Sequence, residues 1–333
     1  MKTISKIWLW FLQFINQYLA DKGLGDDAEQ VTNPAPNPPI EKPVDKEPEP
    51  QPIKKLAQYL VVLEAGHYKQ TAGKKGYWFT INNKKVRAEE WLVNRKQVEF
   101  IYQMFQEQNK KPDMPLTHVL VADRDWNVEK QKYNYNFDAT KYHTSKGREY
   151  LGYRKNRLNE IYEANKADYK EIIFISVHHN AYDIYSGMTT REIQMYLNAH
   201  GYNLIIDGIK GSNTENAMND YINNTVDIDT SITGLEFYYH GLGDNKLSKI
   251  LANKLVTWLN IGEERLRPSP ARPDTWLYKS GFYILRKTSF KTKLLLELGY
   301  MTNKEDVERM LNPQVQDIRA QSIYLAINDY LYE

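Results

Sequence analysis

A chain of 333 residues, 41% hydrophobic and 13% aromatic, can hold one large domain with appendages or two modest ones, with ample material for a core. It contains no cysteine, which excludes disulfides and thiolate-bound metals, so any metal must be held by His, Asp or Glu. The net charge of +2 is unevenly spread: residues 1–54 and 186–230 are net acidic, which leaves a basic remainder suited to an anionic polymer. The chain shows no glycine-rich phosphate loop and no nucleic-acid motif, and nucleic acid is not an expected partner.

Residues 1–20 are rich in large apolar side chains, but the apolar run at 7–12 falls well short of the roughly 20 residues that span a bilayer. Two readings compete: an amphipathic helix that lies on a membrane surface or docks on a protein partner, and a signal-like segment with Lys2 and Lys6 at its start and a cut near Ala20. Residues 21–54 read as a linker. Eight of the 14 prolines fall between Pro34 and Pro52, which makes an extended, semi-rigid spacer without a core.

From residue 55 to 333 strands and helices alternate, predicting an α/β domain built on a single mixed, mostly parallel sheet flanked by helices. Strands are expected at 58–63, 116–121, 171–177, 233–239, 281–285 and 294–298. Helices are expected at 88–108, where Trp91, Val98, Ile101, Tyr102 and Phe105 recur at helical spacing, and at 146–166 and 245–259. A closing helix carries Val315, Ile318, Ile323, Ile327 and Leu331 on its apolar face, and Thr302 with Glu305 predicts a capping box ahead of a short helix. Residues 186–230 interrupt the alternation with two short amphipathic helices around the turn Asp207-Gly208-Ile209-Lys210-Gly211, a small helical insertion.

Four residues stand out for chemistry. His67 follows the first strand after Ala65-Gly66, at the carboxyl end where α/β sheets gather ligands; a surface histidine is the alternative. His178 and His179 close the third strand, and because side chains alternate only one of them can enter a site. Glu90 lies in the first turn of its helix, where a carboxylate is favoured by the helix dipole, with Glu89 as the competing choice. Glu297 interrupts an apolar run; a buried carboxylate needs a cation or donors, which a metal site or a salt bridge to Arg286 would supply. Two imidazoles and a carboxylate can hold zinc with one position open, and a further carboxylate can then move protons. His118, His143, His200 and His240 read as structural or surface residues.

These segments resemble the type-3 N-acetylmuramoyl-L-alanine amidases, zinc enzymes that cut peptidoglycan. The family's motifs appear in order as Glu64-Ala65-Gly66-His67, Glu90 with Asn94, Ser176-Val177-His178-His179-Asn180-Ala181 and Glu297-Leu298-Gly299-Tyr300-Met301-Thr302-Asn303. Gly234-Leu235-Glu236-Phe237-Tyr238-Tyr239 is similar to a further family strand. The family's usual aspartate is replaced by Glu64, and its glycines after the first histidine by Tyr68 and Lys69. The resemblance implies zinc bound by His67, Glu90 and His178, catalysis by Glu297, and hydrolysis of the amide between N-acetylmuramic acid and L-alanine. It places action at the bacterial cell wall, in the periplasm or on the extracellular face, by a bacterial, phage-encoded or virion-associated enzyme.

The insertion is similar to the small helical peptidoglycan-binding module, through Ile193-Gln194, Tyr196-Leu197, Gly201-Tyr202, Asp207-Gly208-Ile209-Lys210-Gly211, Thr214 and Ala217. Substrate contacts are expected at Asn180 and Arg286 and, in the insertion, at Gln194, Tyr202 and Asp207. Two rival activities share these features: a zinc peptidase that cuts within the stem peptide, and a non-catalytic wall-binding structural component of a virion or injection machine.

Overall fold

The computed structural model describes residues 58–71, 73–111, 116–140 and 148–332. The chain divides into Met1–Ile53 and Lys54–Glu333; the expected N-terminal helix and proline-rich linker lie outside the described residues. Among the described residues no helix is long and apolar enough to cross a membrane.

In chain order the elements are β1 (Tyr59–Ala65), β2 (Lys75–Ile81), β3 (Lys84–Glu89), α1 (Glu90–Asn109), β4 (Thr117–Val121), β5 (Trp126–Asn127), β6 (Lys132–Tyr133), α2 (Arg148–Asn165), β7 (Glu171–Asn180), α3 (Thr190–Ala199), α4 (Ser212–Asn224), β8 (Leu235–Tyr239), α5 (Lys246–Ile261), β9 (Leu266–Pro273), α6 (Tyr283–Lys287), β10 (Thr292–Tyr300), α7 (Lys304–Leu311) and α8 (Pro313–Tyr332). Six strands form one sheet in the order β4-β1-β7-β10-β8-β9. Neighbours are parallel except β10 and β8. The three central strands β1, β7 and β10 are covered on both faces and therefore read as near-continuous apolar runs. Chain order reverses between β1, whose partner β4 lies outward, and β7, which leads to the other side; such a crevice beyond the strand ends is where α/β sheets bind ligands.

Several expectations need correction. Residues 281–285 do not form a strand; they enter α6, where the adjacent Ile284 and Leu285 are both buried, a pattern that one face of a pleated edge strand does not give. Unforeseen β9 lies at the sheet edge, the position that tolerates Pro268, Pro270 and Pro273 because their missing N–H groups are not needed there. The β2–β3 hairpin was also unforeseen; it turns through Asn82 and Asn83, both at positive φ, as a tight two-residue connection requires. Asn303, not Thr302, caps α7 by accepting from the Asp306 N–H at 3.0 Å, while Thr302 Oγ1 accepts from Tyr182 N–H at 2.9 Å. In α8, Ile323, Ile327 and Leu331 are buried as expected, but Ile318 is exposed and its place facing the core is taken by Arg319, paired with buried Glu264 at 3.0 Å.

The insertion is part of the body. Thr189 and Glu192 form a capping box at the start of α3. Ile193, Leu197, Ala217 and Tyr221 share one apolar cluster with Tyr77 and Phe79 of the hairpin and with Met301 beyond β10. Asp227 N–H donates to Trp78 O at 2.7 Å and Arg87 to Asn223 Oδ1 at 3.0 Å, which tie hairpin and insertion together.

Candidate metal centre

The end of β1, the end of β7 and the start of α1 meet at one point. His67 Nε2, Glu90 Oε1 and His178 Nδ1 converge: Glu90 Oε1 lies 2.8 Å from His178 Nδ1 and 3.4 Å from His67 Nε2. One ligand atom from each residue lies within 4.8 Å of the others, a separation that one divalent cation can bridge. Glu89, the competing carboxylate, instead accepts from Trp91 Nε1 at 2.7 Å.

The surroundings orient each donor. His67 Nδ1 is 3.0 Å from the Thr71 carbonyl, which can only accept, so Nδ1 is the donor there and Nε2 is the nitrogen turned toward the cluster. His67 has φ 65°, an unusual conformation for a residue with a Cβ. Arg95 holds it there: Nη1 donates to His67 O at 2.6 Å and Nε to Asp125 Oδ2 at 2.6 Å. Asn94 joins the two histidine-bearing segments, donating to Gly66 O at 2.9 Å and accepting from His179 Nδ1 at 2.8 Å. His179 therefore packs against α1 on the opposite face from His178, and burial pushes its pKa well down, keeping it neutral. Two glycines make room. A Cβ on Gly66 would sit 2.2 Å from the His178 ring, and one on Gly73 would sit 2.4 Å from Glu90 Oε2.

The charge balance suits a cation. Burial works against ionisation of Glu90, but hydrogen bonds and charge from His178 and His67 outweigh it and hold the carboxyl well below its usual range. Burial lowers the His178 pKa, opposed by Glu90, so its ring favours the neutral form a metal needs. Glu90 Oε2 also accepts from Lys74 N–H at 2.7 Å. The donor set, its convergence and the glycine-made space fit a zinc-type ion.

Glu297 lines the same cleft of about 290 Å³, with His67, Glu90, His178 and Lys74. It sits on β10 level with His178 of β7 on one side and Glu236 of β8 on the other. Burial, together with the negative charges of Glu90 and Glu236, raises its pKa to about 8 against the pull of Lys74, and its Oε2 is buried with no hydrogen-bond partner. Glu236 is better provided, accepting from Tyr238 at 2.8 Å and Tyr300 at 3.1 Å.

The other expected site residues divide. Asn180 ends β7, and its Oδ1 accepts from Lys74 Nζ and from Ala181 N–H. Arg286 is exposed on α6 and is not among the residues lining the cleft, so it does not serve Glu297; that segment is helical and turns it outward. Lys74 is the cation that sequence reasoning missed, and no spacing around it signalled the role. Glu64 accepts from Arg154 Nε at 2.5 Å and from Ser176 Oγ at 2.8 Å. In the insertion, Gln194 is buried and fully used: Nε2 donates to Asp207 Oδ1, Ile209 O and Thr214 Oγ1, and Oε1 accepts from Gly208 N–H. It builds the turn and also lines the cleft of the insertion. Asp207 is exposed but bound to Gln194 and Ile209 N–H, and Tyr202 donates to Asp220 at 2.7 Å.

A family profile described as N-acetylmuramoyl-L-alanine amidase matches residues 61–329. No curated protein sequence matches the chain. Among solved structures, the catalytic domain of CwlV, an N-acetylmuramoyl-L-alanine amidase from Bacillus (Paenibacillus) polymyxa var. colistinus, is similar at 18% identity and TM-score 0.45, covering 82% of this chain and 97% of that one. The CwlD amidase from Clostridioides difficile, solved in complex with the GerS lipoprotein, is similar at 14% identity and TM-score 0.49, covering 82% and 98%. AmiC2 of Nostoc punctiforme, an N-acetylmuramoyl-L-alanine amidase, is similar at 18% identity and TM-score 0.45, covering 83% and 99%. With a profile that runs from the first strand through the histidine–carboxylate cluster into the closing helix, the chain belongs to the N-acetylmuramoyl-L-alanine amidase family.

Proposed function

We propose that this protein hydrolyses the amide between N-acetylmuramic acid and L-alanine in peptidoglycan, with zinc held by His67, Glu90 and His178 and with Glu297 as the proton-transfer group. The observation that carries this reading is the buried, unpartnered Glu297 Oε2 in the cleft that also holds three converged ligand atoms. Zinc, when bound, supplies Lewis acidity that polarises an amide carbonyl and acidifies water. An amine leaves an amide only when protonated, so the reaction needs a group that accepts a proton from the attacking water and returns it to nitrogen. Glu297 suits both halves, because a carboxyl raised to about 8 is a competent acid near neutrality and a cation beside it eases its ionisation. Asn180, which accepts from the cleft residue Lys74, is the proposed contact for the substrate's amide groups.

The α3–α4 insertion is proposed as a wall-binding element. A cleft of about 790 Å³ opens between its helices, and its exposed lining residues Ile205 and Ile209 offer apolar contact. Ile205→Ser with Ile209→Ser should lower co-sedimentation with purified cell walls; equal sedimentation removes this element from the proposal. For the reaction itself, the test is metal analysis of the purified protein with mass spectrometry of digested peptidoglycan. Release of intact stem peptides with a new L-alanine amino terminus is the expected result. Cuts within the stem would make it a peptidase, and no cuts at all a binding component of the wall or of a virion.

A further inference from the structure

The loop between β9 and α6 is built to stay still and yet displays large aromatic rings. Buried Asp274 anchors both of its ends: its carboxylate accepts from Gly241 N–H at 2.8 Å, Phe282 N–H at 2.8 Å and His240 Nδ1 at 3.1 Å. Its carbonyl accepts from Leu277 and Tyr278 N–H at 3.1 and 3.2 Å. Gly281, at φ 68°, lets the chain close over that carboxylate, since a Cβ there would lie 2.6 Å from its oxygens. On this frame Trp276 is 62% exposed and Tyr278 58% exposed. The Arg272 guanidinium sits 4.4 Å from the Trp276 ring centre, and is itself tied to Pro268 O at 2.6 Å and Ser269 O at 2.9 Å. One face of the indole is thereby backed by a fixed cation while the rest of the ring meets solvent.

Continuity with the metal centre gives this patch its meaning. Tyr278, Phe282 and Tyr283 line the same cleft as His67, Glu90, His178 and Glu297. Tyr278 packs edge-on to Phe282 with ring centres 5.5 Å apart, so the aromatic wall runs from the cleft onto the displayed loop. Rigid, exposed aromatic faces beside a polar cleft are ligand surface rather than core, because a loop with no partner gains nothing from holding them in water. We infer that Trp276 and Tyr278 form a saccharide subsite, on which pyranose rings of the glycan strand stack through their apolar C–H faces while the muramyl amide reaches Glu297. This rests on the amidase reading, and it orients the substrate with its sugar on the aromatic wall.

The test uses the full chain and a probe that cannot be cleaved: peptide-free glycan strands of alternating N-acetylglucosamine and N-acetylmuramic acid, titrated by calorimetry. Wild type binds saturably. Trp276→Leu with Tyr278→Leu weakens binding by about tenfold or more, whereas Trp276→Phe with Tyr278→Phe, which keeps the rings, stays within about threefold. Unfolding temperatures of the three proteins are compared so that loss of fold is seen directly. Absence of glycan binding by wild type, or equal binding by the leucine variant, overturns the inference. So does loss by the leucine variant of co-sedimentation with phosphatidylglycerol vesicles at unchanged glycan affinity, which would make the patch a membrane contact. Because the probe carries no stem peptide, its binding is scored independently of whether wild type cleaves the muramyl amide.

Discussion

Two clefts of the molecule have opposite polar economies. Between α3 and α4 the buried amide of Gln194 meets a partner at each of its polar atoms. In the cleft beyond β1, β7 and β10, Glu297 keeps a buried oxygen without a donor, and Glu90 shares one oxygen between two imidazoles. A satisfied network specifies a shape; an unsatisfied one holds free energy in reserve for something that arrives. Both regions carry a backbone at positive φ, but Gly208 adopts it without steric cost whereas His67 does not.

The comparison breaks most sharply at Glu297. Glu297→Ala should lower turnover by about 10²- to 10⁴-fold while metal content is kept, read by chromatography of released stem peptides alongside metal analysis. A variant that loses activity and metal together would move Glu297 into the ligand set. The same side chain makes a second prediction for metal-free protein. A carboxyl raised from 4.5 to about 8 binds more protons folded than unfolded across that window, so wild-type stability falls as pH rises through it. Glu297→Gln removes that slope, which is at most about 1.4 kcal/mol per pH unit, and melting curves from pH 4.5 to 8 should diverge in the variant's favour. Asn94→Ala cuts the bridge between Gly66 O and His179, and should weaken metal affinity by about 10- to 100-fold in a chelator competition. The smallest effect belongs to the satisfied cleft, where Gln194→Ala should cost about 1–3 kcal/mol of stability and speed amide exchange around Gly208, with metal affinity unchanged.

What could be read from the sequence follows from how local each signal is. His67, Glu90, His178 and Glu297 each sit inside a short motif whose backbone context places them, and β1, β7 and β10 are long apolar runs. Lys74 and Arg95 act across chain distance, on Asn180 and on the His67 carbonyl, and nothing beside them in the sequence marks that reach. Residues 281–285 misled because five mixed apolar residues suit a short strand or a helical turn equally, and tertiary packing decided for α6. The Asn82-Asn83 turn between an aromatic run and Lys84–Glu89 was a usable hairpin signal. The prolines that hid β9 are the reason it stands at the edge.

The apolar cluster shared by Ile193, Leu197, Ala217 and Tyr221 with Tyr77 and Phe79 has a practical outcome. Excising residues 186–230 would strip the cover from the β2–β3 ribbon, whose last residue, Glu89, directly precedes Glu90 of the candidate metal centre. Ribbon and helix pair therefore behave as one packing unit, and a truncation that removes the helices alone should lower the stability of the hairpin as well.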